Sequence, residues 1–269
     1  DKNSKNMKNQ KVCIIGDGLA GLTAAIALKK LNLNIDLFHR KHNKNSKQDK
    51  RTTAISESNY QFLKKQVNLK NIKHFWPCKK VDLFYENRGE YLNFLNYRSK
   101  DKNLMYIFEN EKFIKHLFSE LKRFKNVSFF DKPIKEINHN NSFVRFDNKK
   151  IYYDIIILCA GSENSFYEDI NKDRSIKKDY QEFALTGSIK HNLKIDSSSQ
   201  YFFREGPLAL LPFKKKSLSF VWSVPKNLLK KNIKTLIRKK FKYIFGRKTK
   251  VEILEIQSFP LYLNLKTKY

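Results

Sequence analysis

A chain of 269 residues with 41% hydrophobic content can bury a sizeable core as one large or two intertwined domains, which excludes a disordered or fibrous protein. Its 55 Lys+Arg against 26 Asp+Glu give a net charge of +29, formally an invitation to nucleic acid or an anionic membrane surface. The excess is mostly lysine beside abundant Asn, Ile, Phe and Tyr, as an AT-rich coding sequence produces whatever the protein does, and no arginine-rich, helix-turn-helix or aromatic RNA-binding motif accompanies it, so nucleic acid is not expected as a partner.

The polar residues 1–7 are set aside as a disordered tail. Val12–Ile15 then reads as a buried strand, Leu19–Leu31 as a helix rich in small residues, and Ile35–Phe38 as a second strand, a βαβ unit. A polar loop, residues 41–50, leads into RTTAIS (Arg51 to Ser56) and a helix through Leu63. Val81–Tyr85 and Tyr91–Leu95 flank the turn signal Asn87-Arg88-Gly89 and predict a hairpin. Residues 111–124 carry helical spacing with Asn110 as its cap. Strands are predicted at Val127–Phe130, Ser142–Phe146 and Ile151–Leu158, then at 182–190, 200–203, 208–212 and 217–223. A basic helix over 227–245 and a last strand over 251–257 follow.

Cys13, Cys78 and Cys159 are odd in number and widely spaced, a reduced, cytosolic pattern with no disulfide framework and no metal-ligand spacing. The longest apolar run, residues 155–160, is too short to cross a bilayer and no signal peptide is read, so any membrane association is expected to be peripheral.

The first βαβ unit contains VCIIGDGLAGL, with Gly16, Gly18 and Gly21 at G-x-G-x-x-G spacing. The first glycine permits a tight turn, the second lets backbone approach a pyrophosphate, and the third lets the helix opened by Leu19 and Ala20 pack close to the strand. This predicts dinucleotide binding and leaves NAD, NADP and FAD open. The acidic residue that usually takes the ribose hydroxyls should fall near His39. His39 and Arg40 stand there instead, either to bond a ribose, to attract a 2′-phosphate, or as solvent-facing polar residues. Asp36 lies within the strand and points to a different face from Leu37.

Four separated segments resemble the flavin-dependent aromatic hydroxylases of ubiquinone biosynthesis, in the same order: VCIIGDGLAGLTAAIAL, RTTAISESN, DIIILCAGSENS, and FREGPLALLPF followed by SLSFVWSVP. The resemblance runs from about Val12 to Leu263. It implies a para-hydroxybenzoate-hydroxylase-like α/β fold, in which a Rossmann-like FAD-binding domain (8–75 and 104–177) is interleaved with a β-sheet substrate domain (76–103 and 178–269). It implies that the glycine motif takes the ADP half of FAD, that Arg51 and Gly161 lie at the cofactor, and that Gly206, Pro207, Leu208 and Leu210 line the pocket of an aromatic substrate. Without the family, Arg51 is a loop charge, and Leu208 and Leu210 are core residues. The implied activity is a monooxygenase: NAD(P)H reduces FAD, and the reduced flavin activates O2 to hydroxylate the ring of a polyprenyl phenol.

Two departures qualify this. The family's Asp-Gly is Ala160-Gly161 here, and its later Gly-Asp motif would follow a segment like SFPLYLNL, whereas the sequence ends at Tyr269. The chain is therefore expected to be C-terminally truncated, inactive alone, and to hold FAD weakly or not at all. No Ser/His/Asp, Cys/His or paired-carboxylate constellation is visible, so no catalytic side chain and no metal site are assigned. A greasy substrate implies cytoplasmic work at the inner face of the membrane. The helix over 227–245 either lays its apolar stripe on anionic lipid or packs it on a core. Two other readings stay open, another FAD- or NAD(P)-dependent oxidoreductase and a non-catalytic partner in a quinone-synthesis complex.

Overall fold

The computed structural model describes residues 9–39, 49–67, 75–159, 161, 175–230 and 232–266. Two compact units emerge: Asp1–Gln48 with Lys65–Val67 and Glu111–Arg174, and Asp49–Lys64 with Asn68–Asn110 and Ser175–Tyr269.

In the first unit, β1 (Gln10–Ile15), β2 (Leu33–Phe38), β8 (Val127–Phe130) and β12 (Ile155–Leu158) form a parallel sheet in the order β12-β1-β2-β8. Helix α1 (Leu19–Leu28) packs on β1 and β2. Helix α3 (Asn110–Leu121) sets Phe118 against Phe129 of β8, ring centroids 4.6 Å apart. The opposite face presents Cys13, Ile15 and Phe38 to Val144, Phe146 and Tyr153 of an antiparallel meander, β9 (Ile134–Asn138), β10 (Phe143–Phe146) and β11 (Lys149–Tyr152). With cover on both sides, Val12, Cys13, Ile14 and Ile15 are all buried. That double cover is why β1 reads as a continuous apolar run rather than an alternating one.

The second unit holds a small antiparallel sheet, β3 (Thr52–Ser56), β7 (Met105–Glu109) and β4 (Trp76–Cys78), in that order. Its large sheet comprises β5 (Lys80–Asn87), β6 (Glu90–Arg98), β13 (Ser175–His191), β14 (Ser198–Phe203), β15 (Gly206–Lys214), β16 (Ser217–Pro225) and β17 (Val251–Lys266). The order is β17-β13-β16-β15-β14-β5-β6, antiparallel except for β14 beside β5. Helix α4 (Ile233–Phe245) buries Ile237 and Phe241 among Leu185, Leu208, Phe220 and Trp222 on one face of that sheet. Each such side chain stabilises the contact by about 1.5–3 kcal/mol.

Several expectations are corrected. The run 151–158 is two strands in two sheets. Between them Tyr153 donates to Asp36 at 2.9 Å, and Asp154 accepts from the Lys11 amide at 2.6 Å, which pins the change of sheet. RTTAIS, given no secondary structure by the sequence, is largely strand β3, paired with β7, and the expected helix follows it as α2 (Glu57–Gln66). This pairing, with Cys78, Ile107 and Phe213 in one small core, groups residues 49–64 and 104–110 with the large sheet instead of with the nucleotide-binding part. The Asn110 side chain accepts from Thr53 and donates to Asp49 across the sheet edge. The basic helix starts late: residues 226–230 form a 3-10 turn, and Asn232 caps α4 by accepting from the Thr235 amide at 3.1 Å. Its apolar stripe lies on the sheet, so that stripe is not available to lipid.

Candidate functional site

The chain order of the first sheet reverses at β1, with β2 on one side and β12 on the other. In open α/β sheets such a switch point, at the carboxyl ends of the strands, is where ligands bind. Gly16 sits there at φ +119, a conformation glycine adopts without strain, and its amide donates to the Phe38 carbonyl at 3.0 Å. Gly21 then packs against it so closely that no larger residue fits: a Cβ would stand 1.9 Å from the Gly16 oxygen. Around Gly18, by contrast, a Cβ would meet nothing within 4 Å.

Helix α1 begins without a side-chain cap and without an acidic residue in its first turn. Its first intrahelical bond runs from the Leu22 amide to Gly18, so the amides of Leu19, Ala20 and Gly21 precede the bonded ladder. Amides outside the helix ladder and the positive end of the helix dipole favour an anion, and the open space at Gly18 gives a phosphate room to approach. The residues present thus fit the diphosphate of a dinucleotide.

His39 follows β2 at the same end; its amide donates to Phe130 and its ring stands edge-on to Phe118 at 5.7 Å. Aromatic packing therefore orients this ring. Arg40 lies outside the described residues, as does Ala160. Cys159, whose amide donates to Ile15 at 2.7 Å, brings the end of β12 alongside, and the exposed Gly161 follows at φ +81. Asp36 is turned to the meander face, where it takes the Tyr153 hydroxyl and pairs with Lys11 at 3.2 Å. It is a buried structural carboxylate rather than a ribose ligand.

Arg51 belongs to the second unit. Its Nε and a terminal nitrogen donate to the two oxygens of Asp49 at 2.7 and 2.8 Å, and the guanidinium lies 4.7 Å over the Phe259 ring of β17. Burial pushes the Asp49 carboxyl up, but hydrogen bonds from Arg51 and Asn110 outweigh it and hold the group below the usual carboxylate range. The same bond to Asp49 raises Arg51, against burial.

The large sheet shows why strand parity matters. Leu208 and Leu210 are almost fully buried among the residues under α4. The alternate residues Pro207, Ala209 and Leu211 therefore point to the opposite face. Ladder partners share a face: Ala209 pairs with Val221, Ala184 with Ser223, and Phe259 with Ala184. A row from Phe259 through Ala184 and Ser223 thus crosses the open face, with Arg51 above its β17 end. Gly206 closes the row at φ +128, where a Cβ would lie 2.2 Å from the Ser223 oxygen, and its carbonyl accepts from Trp222 Nε1 at 3.2 Å. Asp49, Phe259, Ala184, Ala209, Val221 and Ser223 are the neighbours that sequence reasoning missed.

No family profile matches the chain. In structure it is similar to the p-nitrophenol 4-monooxygenase PnpA from Pseudomonas putida DLL-E4 (TM-score 0.75, 12% identity, 96% of this chain and 69% of that one). It is likewise similar to CmlS, a flavin-dependent halogenase (TM-score 0.72, 16% identity, 97% and 51%). The chain has the fold of the flavin-dependent monooxygenases.

That flavin-monooxygenase fold is the one the family resemblance implied. The resemblance itself is borne out by the ubiquinone biosynthesis monooxygenase COQ6, mitochondrial, of Drosophila melanogaster, 23% identical over 242 residues, 82% of this chain and 50% of that protein. The chain spans about half the length of COQ6 and of CmlS. Within the flavin-monooxygenase fold, Gly16, Gly18, Leu19, Ala20, Gly21, His39 and Gly161 gather at one end of the parallel sheet. Arg51, Gly206, Pro207, Leu208 and Leu210 belong to the other unit.

Proposed function

We propose that the chain supplies the dinucleotide-binding and substrate-binding parts of an FAD-dependent monooxygenase that hydroxylates the aromatic ring of a polyprenyl phenol, with NAD(P)H as electron donor. The observation that carries this is the uncapped N-terminus of α1 at the switch point, with open space at Gly18 and close packing at Gly21. FAD, when bound, supplies the redox and oxygen-activating chemistry.

The chain's own residues do the rest. The amides at 19–21 hold the diphosphate by hydrogen bonds and dipole, without needing a basic side chain. His39, fixed by Phe118, borders the ribose. On the large sheet, Ala184, Ala209, Val221 and Ser223 offer a flat apolar floor of small side chains on which an aromatic ring can lie, with the Ser223 hydroxyl as a polar handle; such a floor excludes water and fixes orientation. Arg51, held by Asp49 above one end of that floor, contributes a positioned charge. Under this reading the protein works in the cytoplasm or at the inner face of the membrane that carries the substrate, beside other enzymes of quinone synthesis.

Flavin titration of the whole protein, followed by quenching of FAD fluorescence with ADP as competitor, tests the cofactor assignment. Incorporation of isotopic O2 into a prenylated phenol by the whole protein tests the reaction. A whole protein that binds ADP but not FAD, or that oxidises NAD(P)H without labelling any phenol, overturns the proposal.

A further inference from the structure

A run of rings leads from behind the substrate floor to solvent. Trp222, 1% exposed, stands in β16 between Val221 and Ser223 of that floor and points the other way, into the core under α4. Its ring centroid lies 6.3 Å from that of Phe203, Phe203 lies 5.6 Å from Tyr91, and Tyr91 lies 4.4 Å from Tyr243 of α4. All four belong to one unit. Tyr243 ends the run at the surface, 42% exposed. Packing alone does not call for a tyrosine at position 91: its hydroxyl is buried with no hydrogen-bond partner among the described residues, a penalty that phenylalanine would avoid. A phenol ring does, however, give up an electron more readily than a phenyl ring.

Where each proton can go gives the run a direction. The Trp222 indole N–H donates to the Gly206 carbonyl at 3.2 Å, and a carbonyl is too weak a base to take that proton, so an oxidised Trp222 stays a cation and a strong oxidant. Tyr201, 5.2 Å from Tyr91, is a buried phenol whose pKa burial pushes up. Burial, then Tyr243 and Glu86, push the Tyr91 hydroxyl up as well. Neither gives up its proton readily, whereas the exposed Tyr243 can pass its own to water. Lys240 lies 4.0 Å over the Phe203 ring, but Glu205 meets its charge at 2.9 Å.

We propose that these rings form a one-electron path that carries oxidising equivalents away from the substrate floor to Tyr243, where reductants in solution quench them. An oxygenase makes peroxide whenever it reduces O2 without hydroxylating. Peroxide that takes one electron from a reduced metal ion in solution splits into hydroxide and a hydroxyl radical, and that radical becomes hydroxide by taking one electron from Trp222. An electron from Tyr243 refills Trp222, and the Tyr243 hydroxyl proton goes to water. A thiol then returns a hydrogen atom to the Tyr243 phenoxyl, and two thiyl radicals join as a disulfide. The need for such protection rests on the proposed oxygenase reaction, but the path itself does not.

Laser photoionisation with light absorbed by tryptophan alone, and an electron scavenger in solution, tests the path. The chain has two tryptophans, so Trp76→Phe leaves only Trp222. In that variant the absorption of the indole radical cation should decay as that of a phenoxyl radical grows, at one first-order rate independent of protein concentration. Adding Tyr243→Phe, which keeps the ring, should abolish this growth and prolong the indole radical. Adding Tyr91→Phe instead should slow it. Should Trp76→Phe fold poorly by circular dichroism, Tyr243→Phe in the parent chain gives the second test, with loss of the phenoxyl growth seen in the parent. No phenoxyl growth, growth unchanged by Tyr243→Phe, or a rate that rises with protein concentration overturns the proposal. The measurement uses neither flavin nor phenol, so a dead path leaves the proposed reaction standing, and a protein that labels no phenol leaves the path standing.

Discussion

Gly21 stands so near Gly16 that a Cβ on it would lie 1.9 Å from the Gly16 carbonyl oxygen, whereas a Cβ on Gly18 would touch nothing within 4 Å. The two positions should therefore respond oppositely to alanine. Gly21→Ala must push α1 away from β1, costing about 3 kcal/mol of stability. Gly18→Ala should change stability by less than about 1 kcal/mol, yet lower FAD affinity at least tenfold, or about 1.4 kcal/mol, by blocking approach to the helix amides. Thermal melts of both variants, and flavin titration of both in the whole protein, check this; FAD affinity unchanged in Gly18→Ala removes that backbone from the site.

The two faces of β15 make a second contrast. Leu208→Ala removes a side chain that is 1% exposed in the core under α4, and should cost about 2–5 kcal/mol while leaving phenol binding intact in the surviving folded protein. Ala209→Leu adds bulk on the open face. It should alter stability by about 1 kcal/mol or less and weaken binding of an aromatic ligand. Equal loss of ligand binding in both variants would mean that the sheet's open face is not the substrate floor.

Much of this was legible in the sequence, for reasons the structure makes concrete. The glycine spacing between an apolar strand and a small-residue helix located the tight turn and the helix start at which a diphosphate is proposed to bind, because turn and close packing are local demands that the residues at 16 and 21 must meet themselves. The hairpin at Asn87-Arg88-Gly89 was legible for the same reason. What was hidden depends on long-range pairing: β3 is a strand through its pairing with β7, some fifty residues on, and Arg51 meets Asp49 and Phe259 through the fold. At β15 the alternation of Leu208 and Leu210 with Pro207 and Ala209 was present in the sequence, but only α4 tells which side is core. The break at Tyr153 was masked by flanking apolar runs, and its signal was the polar Asp154 within them.

The Asp49 tie to Arg51 gives a pH dependence of definite sign. Its carboxyl is held below its ordinary value, so its contribution is fully present above the unfolded carboxylate pKa, near about 4, and is lost as pH falls through the depressed folded value. The Arg51 carbonyl accepts from the Asn110 amide at 3.0 Å, so exchange of that amide reports the tie. Protection at Asn110 should hold from neutral pH down to that range and drop below it. In Asp49→Asn it should be lower at neutral pH and flat with acid; a flat profile in the parent would remove the carboxylate from the account.

Thiol reactivity offers a probe of the nucleotide site that needs no turnover. Cys13 is fully buried; burial first, then the charge of Asp36, push its thiol pKa far up against the pull of Lys11, so almost no thiolate exists at neutral pH. Cys159 is only partly buried, though burial raises it too, and its Cβ lies 3.4 Å from where a Cβ on Gly21 would stand. Iodoacetamide should label Cys159 first, slowly and with acceleration as pH rises toward the raised value, while Cys13 and the buried Cys78 react only on unfolding. A dinucleotide on the α1 amides covers this end of the sheet, so ADP should slow labelling of Cys159 directly, whereas the unfolding-limited labelling of Cys78 should slow only as far as ADP stabilises the fold. Mass spectrometry of the three cysteines over time gives the rates. Labelling of Cys159 that ignores saturating ADP would place the ligand elsewhere, and labelling of native Cys13 at the Cys159 rate would show that the meander face of β1 opens without unfolding.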